Sequence, residues 1–144
     1  MDEALRLENQ LCFPLYACAR RVIGQYTPLL KPLNLTYTQY IVFLVLWEEK
    51  TVTVRELCRK LYLDSGTLTP VLKKMEAQGY IIRKRNSEDE RVVTVTLTEE
   101  GSALREKAKD IPAQMGKCMT LTEQEIGSLY GILYKILGQM DGEE

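Results

Sequence analysis

A chain of 144 residues with 45% hydrophobic content is long enough to build one compact core, and it needs no disulfide bonds to fold. It contains no histidine, which removes the usual general base, the usual transition-metal ligand and the Ser/His and Cys/His nucleophile pairs. Its net charge is -1, but residues 55–91 contain nine Lys/Arg and only six Asp/Glu. This local excess of positive charge indicates a surface that faces phosphates.

Apolar runs and cysteine spacing narrow the class of protein further. No stretch approaches the roughly 20 apolar residues that span a bilayer, and no charged leader precedes an apolar run. We therefore expect a cytoplasmic protein with no membrane contact and with reduced cysteines. The cysteines lie 6, 40 and 60 residues apart without a CxxC pair, so neither zinc-ribbon nor thioredoxin spacing is present. We expect no metal site and no cofactor.

The N-terminal third of the chain has helical spacing interrupted by prolines. A first helix is expected over residues 5 to about 25, with Pro14 in its first turn or marking a late start. The next segment, residues 26–35, contains two prolines and is expected to be a turn or a short helix.

Three capped helices are predicted next. Thr36 is a suitable N-cap for a second helix to about residue 49, with one face in the core. That face comprises Tyr40, Phe43, Leu44 and Trp47. A capping box at Thr53 and Glu56 predicts a third helix over residues 54–61. Asp64 caps a fourth, over residues 65–78, which ends at Gly79.

After Gly79 the period changes from helical to alternating, which predicts a β-hairpin with a charged loop at residues 85–91. Thr98 opens a fifth helix, and a capping box at Thr122 predicts a sixth that runs to about residue 140. The last helix carries an apolar stripe at helical spacing. Its members are Ile126, Leu129, Leu133, Ile136, Leu137 and Met140.

This order of elements predicts a mainly α fold with a small β-hairpin wing, a winged helix-turn-helix in a single domain of residues 1–144. The DNA-binding lobe is expected at about 36–97. The N- and C-terminal helices, at about 5–27 and 98–140, are expected to form a dimerisation region, since their apolar faces exceed what one core needs. An entirely intramolecular bundle is the alternative.

In a winged helix the fourth helix lies in the major groove of double-stranded DNA, where hydroxyl and lysine side chains contact base edges and phosphates. The candidates on this helix and its cap are Asp64, Ser65, Thr67, Thr69, Lys73 and Lys74. In the wing, Arg91 is suited to a narrow minor groove and Asp89 to orienting its guanidinium, while Arg83 and Arg85 add positive charge. Ordinary solvated surface charge is the alternative explanation of this pattern.

Five segments together resemble the multiple antibiotic resistance regulator (MarR) family, in its organic-hydroperoxide-sensing branch (OhrR). They are LCFPLYA at 11–17, LTYTQY at 35–40, LDSGTLTP at 63–70, KKME at 73–76 and DER at 89–91, the last of which precedes LT at 97–98. The resemblance implies a homodimeric repressor on a pseudo-palindromic operator, released when the cysteine matching Cys12 is oxidised. It also implies that tyrosines matching Tyr26 and Tyr37 hydrogen-bond this cysteine from the partner subunit, with Tyr16 nearby.

Thiol chemistry is consistent with that implication. A peroxide is attacked by thiolate, whereas an ordinary cysteine thiol with a pKa near 8.5 is mostly protonated at neutral pH. Phenol donors aimed at the sulfur, and a helix that begins near Pro14, would favour the anion. The apolar neighbours Leu11, Phe13 and Leu15 favour organic hydroperoxides over hydrogen peroxide as the inducer.

The resemblance leaves the fate of oxidised Cys12 open. Its first product is expected to be a sulfenic acid, which condenses with a thiol. Some members of the branch supply that thiol from a second cysteine, and Cys118 lies near the position where they carry it. Other members use a low-molecular-weight thiol. Cys18 and Cys58 are expected to be structural.

Three other functions fit parts of the sequence. A MarR-type regulator that binds a small phenolic or amphipathic ligand would make Cys12 incidental. A global thiol-based stress or virulence regulator would share every feature above. A thiol peroxidase, with Cys12 as the peroxidatic and Cys118 as the resolving residue, is disfavoured because no peroxidase motif surrounds Cys12, and we expect no enzymatic activity.

Overall fold

Seven α-helices and a small sheet make up the part of the chain that the structure, a computed structural model, describes, residues 2–140. The helices are α1 Cys12–Leu30, α2 Tyr37–Glu49, α3 Val54–Leu61, α4 Ser65–Ala77, α5 Glu99–Ala108, α6 Ile111–Cys118 and α7 Glu123–Met140. The strands are β1 Thr51–Thr53, β2 Ile81–Arg85 and β3 Val93–Leu97. The predicted mainly α winged-helix architecture is confirmed.

The predicted caps begin the central helices. Thr36 and Gln39 form a capping box on α2, and Thr53 and Glu56 form another on α3. The carboxylate of Asp64 caps α4 by accepting the backbone N–H of Thr67. The chain then leaves α4 through Gly79, whose φ of 85° lies in the left-handed region that glycine adopts without a steric penalty.

The first helix begins and ends later than predicted. Short 3₁₀ turns at Glu3–Leu5 and Leu7–Asn9 precede it, and α1 begins only at Cys12, which places Pro14 in its first turn. The predicted break over residues 26–35 was wrong in its first half, because the helix continues to Leu30. Pro28 lies in its last turn, where the missing N–H costs a single hydrogen bond.

Two further elements differ from the prediction. The expected fifth helix is divided into α5 and α6, and Pro112, which lacks an N–H, lies in the first turn of the new helix. Strand β1 was not predicted. It adds to the hairpin to give the sheet order β1-β3-β2, with Thr51 opposite Thr96 and Thr53 opposite Thr94.

The described part of the chain divides into two compact units, the second of which begins at Pro112. The first has a core built on α2, where Val42, Phe43 and Leu46 are fully buried. Of the face predicted to be in the core, Tyr40 and Phe43 are buried, whereas Leu44 is 43% exposed because α2 is apolar all round and turns Val42 and Leu46 inward as well. Residues from α3, α4 and the sheet complete the core, notably Leu57, Leu68, Leu72, Met75, Ile81 and Val95.

In the second unit, α7 has no buried residue in the isolated chain, although its sequence is strongly apolar. Its most exposed apolar side chains are Ile126, Leu129, Tyr130, Ile132, Tyr134 and Met140. Within residues 2–140, no single helix is long and apolar enough to cross a bilayer. One pair of helical segments has the necessary length and composition when taken together, namely Cys12–Leu33 and Tyr37–Glu49, and this pair is bent by 73° at its break.

Candidate functional site

Cys12 is the first residue of α1, and its side chain is exposed. The sulfur atom therefore lies at the start of a helix of 19 residues, the end at which the helix dipole is positive. Tyr16 lies one turn further along and is 57% exposed, with the Arg20 guanidinium 5.6 Å from its ring centre.

The two other candidate sensor tyrosines lie together at the junction of α1 and α2. The rings of Tyr26 and Tyr37 are 4.8 Å apart, and Tyr40 lies 5.6 Å and 6.2 Å from them. Burial raises the pKa of Tyr37 above its ordinary value, and the neighbouring Tyr26 raises it further by a smaller amount. The phenol of Tyr37 is therefore a neutral O–H donor at physiological pH.

Cys12 and Tyr26 are on the same continuous helix, fourteen residues apart. At 1.5 Å per residue this separates their Cα atoms by roughly 21 Å along the axis, several times the length of a tyrosine side chain. The structure therefore brings Tyr26 and Tyr37 together and keeps them away from Cys12 within one chain.

The remaining cysteines lie in different environments. Cys118 ends α6, is exposed, and has its sulfur 3.8 Å from the carbonyl oxygen of Gln114. Cys58 is partly buried in α3, where burial and then the carboxylate of Asp64 raise the pKa of its thiol and make it less reactive. Cys18, expected to be structural, is exposed on α1 in the isolated chain.

The candidate residues on α4 are exposed with one exception. Ser65, Thr67, Lys73 and Lys74 are exposed, whereas Thr69 is partly buried and donates its hydroxyl hydrogen to the carbonyl oxygen of Ser65, 2.7 Å away. Two oxygen lone pairs of Thr69 remain to accept hydrogen bonds.

Asp64, at the cap of α4, carries its negative charge at the exposed end of that helix. Its pKa lies below the ordinary range, chiefly because it accepts the backbone N–H of Thr67. The carboxylate is therefore charged at neutral pH and serves the helix as its cap.

The wing loop, residues 86–92, is organised by its own side chains. Asn86 accepts the backbone N–H groups of Glu88 and Asp89 at 2.7 and 3.2 Å, and Arg85 donates to the carbonyl oxygen of Glu90. The predicted pairing of Asp89 with Arg91 is present, and the Arg91 side chain is 91% exposed. The loop thus presents one oriented guanidinium to the solvent.

Glu76 and Arg83 form a clamp between α4 and the wing that the sequence analysis did not identify. The Glu76 carboxylate accepts the backbone N–H of Arg83 at 2.9 Å and its guanidinium at 3.0 and 3.3 Å. These hydrogen bonds hold the pKa of Glu76 below its ordinary value, and the bond from the Arg83 backbone has the largest effect. Arg83 is therefore held against α4. The sequence does contain a signal for this contact, since Glu76 lies in the last turn of a predicted helix, just before a predicted strand.

A family model for SarA/Rot transcriptional regulators matches residues 25–110. The organic hydroperoxide resistance transcriptional regulator of Bacillus subtilis is 52% identical over 133 residues, which are 92% of this chain and 90% of that protein.

Solved structures with a similar fold include regulators in several states. Reduced AbfR bound to DNA has a TM-score of 0.79 at 36% identity over 96% of each chain. Disulfide-formed AbfR has a TM-score of 0.62 at the same identity, over 96% of this chain and 94% of that one. A cysteine-to-serine mutant of Escherichia coli MarR, complexed with operator DNA, has a TM-score of 0.69 at 28% identity, over 89% of this chain and 99% of that one.

Proposed function

Since this chain belongs to the MarR family of winged-helix transcriptional regulators, in its organic hydroperoxide resistance branch, we propose that it is a cytoplasmic homodimeric repressor released from its operator when an organic hydroperoxide oxidises Cys12. The observation that carries the role of Cys12 is the position of its thiol. The thiol is exposed at the N-terminus of α1, and α1 contains no carboxylate that would disfavour a thiolate. Cys12 also lies within the 133 residues that align with the Bacillus subtilis regulator.

A second copy of the chain completes the sensor site in this proposal. Tyr26 cannot reach Cys12 along their shared helix, so Tyr26 and its neighbour Tyr37 can donate only to the Cys12 thiolate of another chain. The exposed apolar side chains of α1 and those of α7 supply the contact surface in this proposal, since exposed apolar side chains grouped on one helix are typical of interaction sites. On α1 they are Phe13, Leu15, Tyr16 and Ile23.

The sensing step transfers one oxygen atom. The Cys12 thiolate attacks an oxygen of the hydroperoxide, the S–O bond forms as the O–O bond breaks, and the alkoxide leaves and takes up a proton to become the alcohol. Sulfur is oxidised by two electrons to sulfenic acid while the peroxide is reduced. A second thiol then displaces water from the sulfenic acid and forms an S–S bond. The event is a signal rather than catalytic turnover.

DNA recognition in this proposal uses α4 and the wing. The exposed hydroxyls of Ser65 and Thr67 face base edges or phosphates of the major groove, and Lys73 and Lys74 neutralise phosphates. Arg91 enters the minor groove at the wing, with Arg85 adding charge beside it. A two-fold dimer places two such lobes on half-sites of a pseudo-palindromic operator, about one helical turn apart. A displacement of a few ångströms at the dimer contact then prevents simultaneous docking.

The direct test is a gel shift on a duplex from the protein's own promoter region, with and without cumene hydroperoxide. We expect reduced wild type and Cys12→Ser to bind alike, and only wild type to be released by the peroxide. Cys18→Ser is the matched control, because it removes an exposed thiol from the same helix and should leave release intact. Release of Cys12→Ser by hydroperoxide would overturn the proposal and favour a ligand-binding regulator.

The second thiol is proposed to be Cys118 of the other subunit, which is exposed at the end of α6. Non-reducing electrophoresis after peroxide treatment should show a dimer-sized band for wild type and a monomer-sized band for Cys118→Ser. A monomer-sized wild-type band, with the mass of a small-thiol adduct on Cys12, would assign the step to a low-molecular-weight thiol instead.

A further inference from the structure

Gln39 stands out in the core of residues 2–111 because it is a polar side chain that is only 1% exposed. As the third residue of α2, it completes the capping box with its oxygen, which accepts the backbone N–H of Thr36 at 3.0 Å. A capping box uses only that oxygen and forms equally well on a helix surface. The cap therefore leaves the amide nitrogen, and the burial of the residue, without an explanation.

The amide nitrogen of Gln39 makes a tertiary contact. It donates to the side-chain oxygen of Gln78, 3.2 Å away and 39 positions later in the chain. Gln78 is the C-cap of α4, and its backbone N–H donates to the carbonyl oxygen of Lys74 at 3.0 Å. The first turn of α2 is thus hydrogen-bonded through side chains to the end of the helix that carries the candidate DNA-contacting residues.

The same first turn of α2 carries part of the tyrosine cluster. Tyr37 precedes Gln39 by two residues and Tyr40 follows it, and both rings contact Tyr26 of α1. A displacement of these tyrosines therefore moves the backbone from which the Gln39 amide reaches α4. In a close-packed interior such a shift is transmitted to the neighbours rather than absorbed.

The last turn of α4 is also joined to the wing. Glu76, two residues before Gln78, holds the backbone and guanidinium of Arg83. The end of α4 thus connects the tyrosine cluster on one side with the wing on the other.

We propose that the Gln39–Gln78 amide pair is the positioning contact that couples the tyrosine cluster to α4, so that a change at the sensor site reorients α4 and the wing together. The proposal rests on the function proposed above, which supplies the change at the sensor. Its physical reason is that breaking the pair would leave a buried N–H donor without a partner, a cost that favours movement of α4 together with α2. Neither glutamine contacts DNA or peroxide in this mechanism. Both act by setting the position of α4 relative to α2.

The test compares DNA release in two variants of Gln78. Gln78→Met removes the acceptor at similar volume and leaves the Thr36–Gln39 cap intact, whereas Gln78→Glu keeps an acceptor oxygen. Thr53→Ala is the stability control, because it removes a capping box from α3 without touching the amide pair. For each protein, the operator Kd is measured before and after one equivalent of cumene hydroperoxide, and oxidation of Cys12 is followed by mass spectrometry.

We expect Gln78→Met to oxidise at the wild-type rate but to lose about 2- to 30-fold in the ratio of oxidised to reduced Kd, the range typical of residues that transmit coupling. Gln78→Glu and Thr53→Ala should keep the wild-type ratio. A wild-type ratio in Gln78→Met, or an equal loss in Thr53→Ala, would overturn the inference. If wild type keeps its operator after Cys12 is oxidised, the proposed function itself fails, and the coupling role fails with it.

Discussion

The carboxylate of Asp89 accepts two hydrogen bonds, of 3.1 and 3.3 Å, from the guanidinium of Arg91 at the tip of the wing. The same carboxylate accepts the backbone N–H of Arg91 at 3.1 Å, so the arginine is held at two places. Donation from Arg91 keeps the pKa of Asp89 below its ordinary value, and the pair is therefore charged at neutral pH. The wing presents an arginine whose direction is already set before it meets DNA.

Replacing Arg91 tests the wing. Arg91→Ala should weaken operator binding by about 1–3 kcal/mol, because a cation is removed from the strongest negative potential on the duplex. The measurement is the operator Kd at one fixed salt concentration. Arg105→Ala removes an exposed arginine from α5 and should change the Kd little. An Arg91→Ala protein with wild-type affinity would remove the wing from the recognition mechanism.

Replacing Glu76 tests the clamp between α4 and the wing. The pKa of Glu76 is lowered in the folded protein, so its stabilising contribution is present above the ordinary glutamate pKa of 4.5 and is lost as the pH falls through the lower folded value. Glu76→Gln should therefore unfold about 2–4 °C below wild type at neutral pH, with the difference closing in acid.

Thermal unfolding followed by circular dichroism across this pH range measures the effect. Glu106→Gln is the matched control, because Glu106 pairs with Lys109 on an exposed helix surface and should contribute little. A Glu76→Gln protein whose midpoint matches wild type at neutral pH would show that the clamp does not stabilise the wing.

Replacing Tyr37 tests the phenol donors at the sensor. Burial keeps the Tyr37 phenol protonated through neutral pH, so the proposed dimer offers it as a donor to the Cys12 thiolate. Tyr37→Phe should slow oxidation of Cys12 by about tenfold, the effect of losing one hydrogen bond to a charged group. Stopped-flow kinetics with cumene hydroperoxide give the rate. Tyr62→Phe, which changes an exposed tyrosine at the end of α3, should leave that rate unchanged. Equal rates for Tyr37→Phe and wild type would exclude this tyrosine from thiolate stabilisation.

Replacing Leu129 tests the role of α7 in dimerisation. Leu129 is 47% exposed in the isolated chain, and a glutamate at the centre of an apolar contact would place an unpaired charge there. We expect Leu129→Glu to sediment as a monomer, or to dimerise more weakly, in analytical ultracentrifugation. Ile82→Glu changes an equally apolar exposed residue on the wing and should remain a dimer. A Leu129→Glu dimer of wild-type affinity would contradict the proposed interface.

Local rules were sufficient for most elements but not for all. Thr36, Thr53 and Asp64 begin their helices as predicted, because a cap is decided by residues three positions apart. Strand β1 escaped prediction because three residues carry no period, and its hydrogen-bonding partner Thr96 is 45 positions away from Thr51. Pro28 misled the prediction of α1, because the helix end is also set by packing of its last turns against α2.

The caps and the alternation of β3 follow from the sequence alone, since each depends on neighbours within a few residues, whereas the start of α1 at Cys12 does not, because a helix from residue 5 was expected. The folded chain alone shows that Arg83 is held by Glu76, that Gln39 is buried against Gln78, and that Tyr26 is far from Cys12 on one continuous helix. These relationships depend on how separate elements pack and how long a helix remains unbroken, which the periodicity of a single segment does not specify.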